Sequence, residues 1–197
     1  MNHLEFESRS GNARWALCVT FRVVALAAVL ATCVASHALA ADLWHIKCFT
    51  ETGHTIAVKA IAADGATYAV KAIPGTNPGL LDVKAIEPEL GARIPLTVVP
   101  SAEGRPYSDV KAIARGNLLL PVKGITGEGE TLDVKAFFDS ELEQYDIKCV
   151  TPAGRRLGLK AISSTGRVFD VKGLKNLPGQ DTLQVEVEAH IKAKPQR

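Results

Sequence analysis

Lys47, Lys59, Lys71 and Lys84 lie 12, 12 and 13 residues apart, and Lys111, Lys123, Lys135, Lys148, Lys160 and Lys172 follow at steps of 12, 12, 13, 12 and 12. Ammonium groups repeated on one face could hold an extended anion, such as an acidic glycan or a phosphorylated surface. The same ladder also reads as a solvated outer face, its charges discouraging strand edges from pairing with other chains. Cys48 and Cys149 are the second reactive pair, able to close a disulfide or to serve as two small buried core residues. The histidines beyond residue 40 are His45, His54 and His190. They show no zinc-ligand spacing, and neither a nucleophile elbow nor a phosphate loop occurs. No catalytic residue, metal ligand or cofactor is therefore assigned.

Something must carry the lysines at that spacing. Each sits in a pattern of large apolar residue, variable residue or Asp, Val or Ile, Lys, then a small residue, as in "YAVKAI", "LDVKAI" and "FDVKGL". A 12-residue period rich in Val, Ile and aromatics reads as one short strand plus one tight turn, with no room for a three-turn helix. Six residues after a register lysine comes Gly53, Gly65, Gly129, Gly154 or Gly166, and once Asn117. These residue types accept a left-handed backbone, which a three-residue hairpin loop needs at its third position. Such a loop fixes the register: each lysine faces the residue two before the next one. Lys123 would face Asp133, Lys160 Asp170, Ala60 Tyr68 and Val58 Val70. Trp44, Tyr68, Tyr145 and Phe169 then fall on the core face. Phe137 and Phe138 are adjacent, so one points outward, and Tyr107 is one place out of step; these are the aromatics that could stack on a sugar.

Between Lys84 and Lys111 the lysine lapses but the turn continues, "LTVVPSAEG" aligning Gly104 with Gly53 and Gly154. That alignment puts Val98 in the lysine's place and Val99 in the slot of the cysteines. About twelve short antiparallel strands result, in three units, 44–93, 94–144 and 145–197, the last strand including Val185, Val187, Ala189 and Ile191. In strand number and length this all-β chain resembles a β-trefoil; the alternative is an up-and-down meander closed into a barrel or folded as a sandwich. The stretches "WHIKCFTETGHTIAVKAI" (44–61) and "YDIKCVTPAGRRLGLKAI" (145–162) open the first and third units, with Cys48 and Cys149 in one inward slot. A bond between them would close about a hundred residues.

The N-terminal part reads as a leader. Arg9, Arg14 and Arg22 precede an apolar run from Val23 to Leu39 that ends on Ala38-Leu39-Ala40, a small-x-small cleavage site, so residues 1–40 are expected to be a signal peptide. The alternative is a lipoprotein box at Leu30-Ala31-Thr32-Cys33, anchoring the chain through Cys33. Residues 41–197 would form one domain with 20 Lys and Arg against 19 Asp and Glu, a balance that argues against nucleic acid. No transmembrane anchor is expected after cleavage. The expected protein is a periplasmic or secreted non-catalytic module that binds a glycan or an envelope protein. The alternatives are a structural envelope protein and a hydrolase using loop residues such as His54, Glu103 or Asp139.

Overall fold

The computed structural model describes residues 43–175 and 185–196. The expected signal peptide and Cys33 lie outside the described residues. Nearly everything described is strand: β1 (Trp44–Phe49), β2 (Thr55–Ile61), β3 (Thr67–Pro74), β4 (Leu81–Ile86), β5 (Arg93–Val99), β6 (Ser108–Ile113), β7 (Leu119–Ile125), β8 (Thr131–Asp139), β9 (Gln144–Val150), β10 (Arg156–Ile162), β11 (Val168–Leu174) and β12 (Ala189–Pro195). The protein is all-β, with twelve antiparallel strands in one sheet among the described residues. Val185 and Val187 precede β12 and lie outside it.

The turns form as the glycines require. The Thr50 amide donates to the His54 carbonyl at 2.9 Å and the Gly53 amide to the Thr50 carbonyl at 3.0 Å, closing a three-residue loop, and the same pair of bonds recurs at 62–66, 126–130, 151–155 and 163–167. Gly53, Gly129 and Gly154 take φ of 82°, 88° and 77°, and Asn117 takes 60°. The register follows: Lys123 faces Asp133, Lys160 faces Asp170 and Ala60 faces Tyr68.

Beyond the lysine each hairpin splays. Val58 and Val70 do not face each other; they pair with Gly124 and Ala85 on other strands. Each strand is thus shared among three neighbours. Its later half pairs with one strand, its earlier half with a second, and its whole centre with a third along the opposite edge. The half-strand pairings close into cycles of three: β1, β2 and β3; β6, β7 and β8; β9, β10 and β11; and β4, β5 and β12. Six central ladders join every cycle to every other: β2 with β7, β1 with β10, β3 with β4, β8 with β9, β5 with β6, and β11 with β12. Four corners joined pairwise by six edges make a tetrahedron, and no described strand has a free edge.

Four threes therefore replace the expected three fours, and the trefoil-like units do not describe the pairing. Nor does a plain meander, because β1 pairs with β10 and β12 with β4. The physical reason lies in the two kinds of hairpin. Hairpins within a corner set a lysine opposite the residue two before the next lysine, whereas those along an edge set register positions face to face, as Lys71 with Lys84 and Lys135 with Lys148. The edge hairpin needs a longer connection, and the 13-residue steps occur there. The same distinction moves the β5 register. Thr97, not Val98, faces Lys111, and Val98 takes the inward small-residue slot. The long connection from Val99 to Ser108 had shifted the count by one.

The edge ladders explain the repeated tripeptide. With register positions face to face, the residue before the lysine always meets the residue after the partner lysine: Ile46 meets Ala161, Ala136 meets Ile147, and Gly173 meets Ile191. Large against small fills the inward layer without overpacking. The large members, Ile46, Val58, Val70, Val83, Leu96, Val110, Val122, Val134, Ile147, Leu159, Val171 and Ile191, one from each strand, converge on a central void of about 10 Å³.

Candidate functional site

Lysines and aspartates line the outside of each corner, and the corners are not alike. In the corner β6–β7–β8, Lys123 bonds Asp133, and Lys135 reaches Asp109 at 2.7 Å and Asp133 at 3.5 Å. In the corner β9–β10–β11, Lys160 bonds Asp170, while Lys172 and Lys148 both reach Asp146. In the corner β4–β5–β12, the buried Lys192 bonds Asp82, to which Lys84 also extends at 3.7 Å, and Thr97 is fully buried. Lys111 leans on Asp109 at 3.8 Å. Seven of the ten ladder lysines are thus neutralised locally. The exceptions are Lys47, Lys59 and Lys71, all in β1–β2–β3. Opposite them stand Ala57, Ala69 and His45, and among the described residues no carboxylate pairs with any of the three. The Lys71 ammonium lies 2.8 Å from His45 Nδ1, and Lys59 donates to Thr67 Oγ1 at 3.4 Å.

Titration follows the partners. The Lys123 hydrogen bond holds the Asp133 carboxyl below its ordinary range. Burial, the largest single influence, pushes Asp146 and Asp170 upward, but the hydrogen bonds and charges of Lys172 and Lys148 on Asp146, and of Lys160, Gln196 and Lys172 on Asp170, together leave both lowered. In the unneutralised corner the shifts reverse the usual benefit. Burial, then the charges of Lys71 and Lys47, push His45 down, and burial with Lys47 pushes Lys71 down.

Each face of the tetrahedron, opposite one corner, gathers three of the small inward residues. Ala60, Ala85 and Ala112 fill one face, and Ala72, Ala161 and Ala193 another, all fully buried. Val98, Ala136 and Gly173 fill a third, where a Cβ on Gly173 would stand 3.0 Å from Val98 Cγ2, so the glycine offsets the valine. The fourth holds Cys48, Gly124 and Cys149. The cysteines form a disulfide, with Cα atoms 6.5 Å apart across 101 residues, and a Cβ on Gly124 would stand 3.0 Å from Cys149 Sγ. Gly124, not Val99, is therefore the third occupant of the cysteine slot, and it vacates the room that the bridge fills.

The outward aromatics meet in a second feature. Tyr107, entering β6, and Phe137, near the end of β8, approach edge to face with centroids 6.1 Å apart. Arg156 places its guanidinium 3.8 Å from the Phe137 centroid, and the Lys135 ammonium stands 4.9 Å from that of Tyr107. Arg105 donates to the Tyr107 hydroxyl at 3.2 Å. Among the described residues no carboxylate forms an ion pair with Arg105 or Arg156. Tyr107, Lys135, Phe137 and Arg156 line a pocket of about 380 Å³ together with Thr131, Asp133, Thr151 and Pro152. Aromatic faces, the Arg156 guanidinium with no carboxylate partner and threonines suit a small polar ligand bearing negative charge. Sequence reasoning had placed Tyr107 one position out of step and one of Phe137 and Phe138 outward, without choosing between the two or joining either to Tyr107; Phe138 is also exposed. Arg156, a strand residue four before Lys160, carried no signal.

The residues weighed for hydrolysis occupy separate connections. His54 is exposed in the β1–β2 loop and Glu103 in the β5–β6 loop, while Asp139 ends β8 and accepts from the Glu141 and Leu142 amides. Among the described residues no hydrogen bond or ion pair joins any two of them. No group of three His, Cys, Asp or Glu among the described residues is placed to hold a metal ion, and no described helix is long and apolar enough to cross a membrane.

Residues 41–194 match a protein family of unknown function, DUF7486. The chain belongs to that family. The DUF7486 stretch runs from three residues before β1 to one residue short of the end of β12, so it spans the closed sheet. No curated protein and no solved structure matches the chain.

Proposed function

We propose that the protein is an exported, non-catalytic binding module whose pocket between Tyr107 and Phe137 holds an acidic saccharide. The observation that carries the reading is the Tyr107–Phe137 pair with Arg156 over one ring and no carboxylate engaging that guanidinium. A sugar ring stacks its C–H groups on an aromatic face, and a uronate or similar acid group finds the guanidinium's planar donors. Export is supported by the leader pattern ending at Ala40, by a family stretch that starts at residue 41, and by a disulfide of the kind that persists in oxidising compartments. A structural role by edge-to-edge assembly of strands is disfavoured, since every described strand is paired along both edges.

Calorimetric titration with an oligogalacturonate, beside the neutral galactose oligomer of equal length, tests the pocket. Binding of the acidic chain that weakens at least tenfold in Arg156→Ala and Tyr107→Ala is expected. Equal affinity for the neutral chain, or unchanged binding in both variants, would overturn the reading. Export is tested by the intact mass of the bacterial product. A mass beginning at Ala41 supports it; an uncleaved product contradicts it.

A further inference from the structure

The ladder treats all register lysines as equivalent, and three corners honour that equivalence by placing an aspartate two residues before a lysine, where the closing strand brings it opposite another lysine. The corner β1–β2–β3 uses the same strands, the same cycle and the same register, with Lys47 opposite Ala57, Lys59 opposite Ala69 and Lys71 opposite His45. The three edges leaving this corner add more cation. Lys47 faces Lys160, Lys59 faces Lys123 and Lys71 faces Lys84, although each of those outer partners is engaged with an aspartate.

We propose that the β1–β2–β3 corner is an oxyanion site, in which Lys47, Lys59 and Lys71, arranged around a pseudo-threefold axis with His45 beside Lys71, take the place of their missing carboxylates with a phosphate group. The chemistry fits in three respects. A phosphate offers three terminal oxygens to three donors related by a threefold arrangement. Lys71 is half-buried and sits against a histidine ring rather than an acid, so it has a donor to spare. Burial lowers both His45 and Lys71, and beyond it the charges of Lys71 and Lys47 act on His45 and that of Lys47 on Lys71, which, with the Lys71–His45 contact of 2.8 Å, places these groups within electrostatic reach of one another and leaves repulsion that a bound anion would relieve. The phosphate could be free or the headgroup of an anionic lipid. This site is separate from the Tyr107–Phe137 pocket, so either can fail without the other.

The test uses the purified protein in low-salt buffer. Lysine and histidine side-chain NMR signals are followed while inorganic phosphate is added, and co-sedimentation is measured with vesicles of phosphatidylglycerol in phosphatidylcholine. Phosphate is expected to move the signals of Lys47, Lys59, Lys71 and His45 ahead of those of Lys148 and Lys172. Lys47→Gln and Lys71→Gln should each weaken binding at least fivefold, with Lys148→Gln changing it less than twofold. A second variant keeps the answer independent of lysine removal: Ala57→Asp with Ala69→Asp recreates the pairing of the other corners. It should abolish the response while leaving the melting temperature equal or higher. Vesicle binding without a phosphate response, lost in the same variants, assigns the site to a lipid headgroup and supports it. Shifts spread evenly over all lysines, equal loss in Lys148→Gln, retention in the double aspartate variant, or no response to either probe would each overturn the proposal.

Discussion

The corner β1–β2–β3 and the corner β9–β10–β11 are written in nearly the same words, "HIKCFTETGHTIAVKAI" and "DIKCVTPAGRRLGLKAI". They fold into the same three-strand cycle. Large residues face the centre, cysteines occupy one slot and three-residue loops close on glycine in both. They differ at the residue two before each lysine: Asp146, Gly158 and Asp170 in one, His45, Ala57 and Ala69 in the other. Backbone and core are indifferent to that position, because it points outward. The position therefore sets charge without touching fold, and a repeat under packing constraint everywhere else retains it as a free variable.

The two corners are linked by the disulfide, and breaking that link should cost the most. Cys48→Ala with Cys149→Ala frees a loop of 101 residues, which in the chain-entropy picture removes about 4–5 kcal/mol. Urea denaturation of wild type and variant measures the loss, and a difference under about 1 kcal/mol would show that the ladders alone unite the corners. Gly124→Ala intrudes on the same face, with Ile56 Cγ2 at 3.2 Å as well as the sulfur, and should destabilise by about 1–3 kcal/mol. Gly158→Ala, on the outer side with nothing within 4 Å, should stay within about 0.5 kcal/mol. Smaller still is the charge contrast. Asp170→Asn should lower stability by about 0.2–1 kcal/mol, and Ala57→Asp should raise it by a similar amount.

Acid should separate the corners by pH window. Asp146 and Asp170 titrate below 3.8 in the folded protein. Their contribution is therefore complete above the ordinary carboxylate range and is lost as pH falls through it and below. His45 titrates below 6.5 when folded, so the unfolded chain takes up that proton first and stability declines as pH drops from about 6.5. His45→Gln should flatten the upper limb of a stability profile measured by thermal melting, and Asp170→Asn the lower. A profile unchanged in both variants would contradict this assignment of the two windows.

Much of this was legible in the chain. The register lysines, the glycine turns, the Lys123 to Asp133 and Lys160 to Asp170 pairs and the inward cysteines all depend on contacts within about a dozen residues, where turn chemistry dictates register. The closure of the corners was not legible in the same way. Lys135 with Asp109, Lys172 with Asp146 and Lys192 with Asp82 join strands that are not consecutive, and no local rule names such partners. One trace was present: the 12-residue steps run within corners and the 13-residue steps from Lys71 to Lys84 and from Lys135 to Lys148 mark their ends. Read as a uniform period, they suggested units of four. The Tyr107–Phe137 pocket was half visible for the same reason, since the Phe137–Phe138 pair requires one outward ring and Tyr107 falls out of step with the core face, while Arg156 arrives from another strand.

The fourth corner is assembled from both ends of the domain. β4 and β5 come early, and β12 at Ala189–Pro195 must return to complete the cycle, its Lys192 buried against Asp82. A chain cut short of Ala189 would leave β4, β5 and β11 each lacking a neighbour, with open hydrogen-bonding edges that invite aggregation or proteolysis. The closure of the sheet is thus an all-or-none property of the described strands: every backbone edge is covered only when β12 is seated between β11 and the pair β4 and β5.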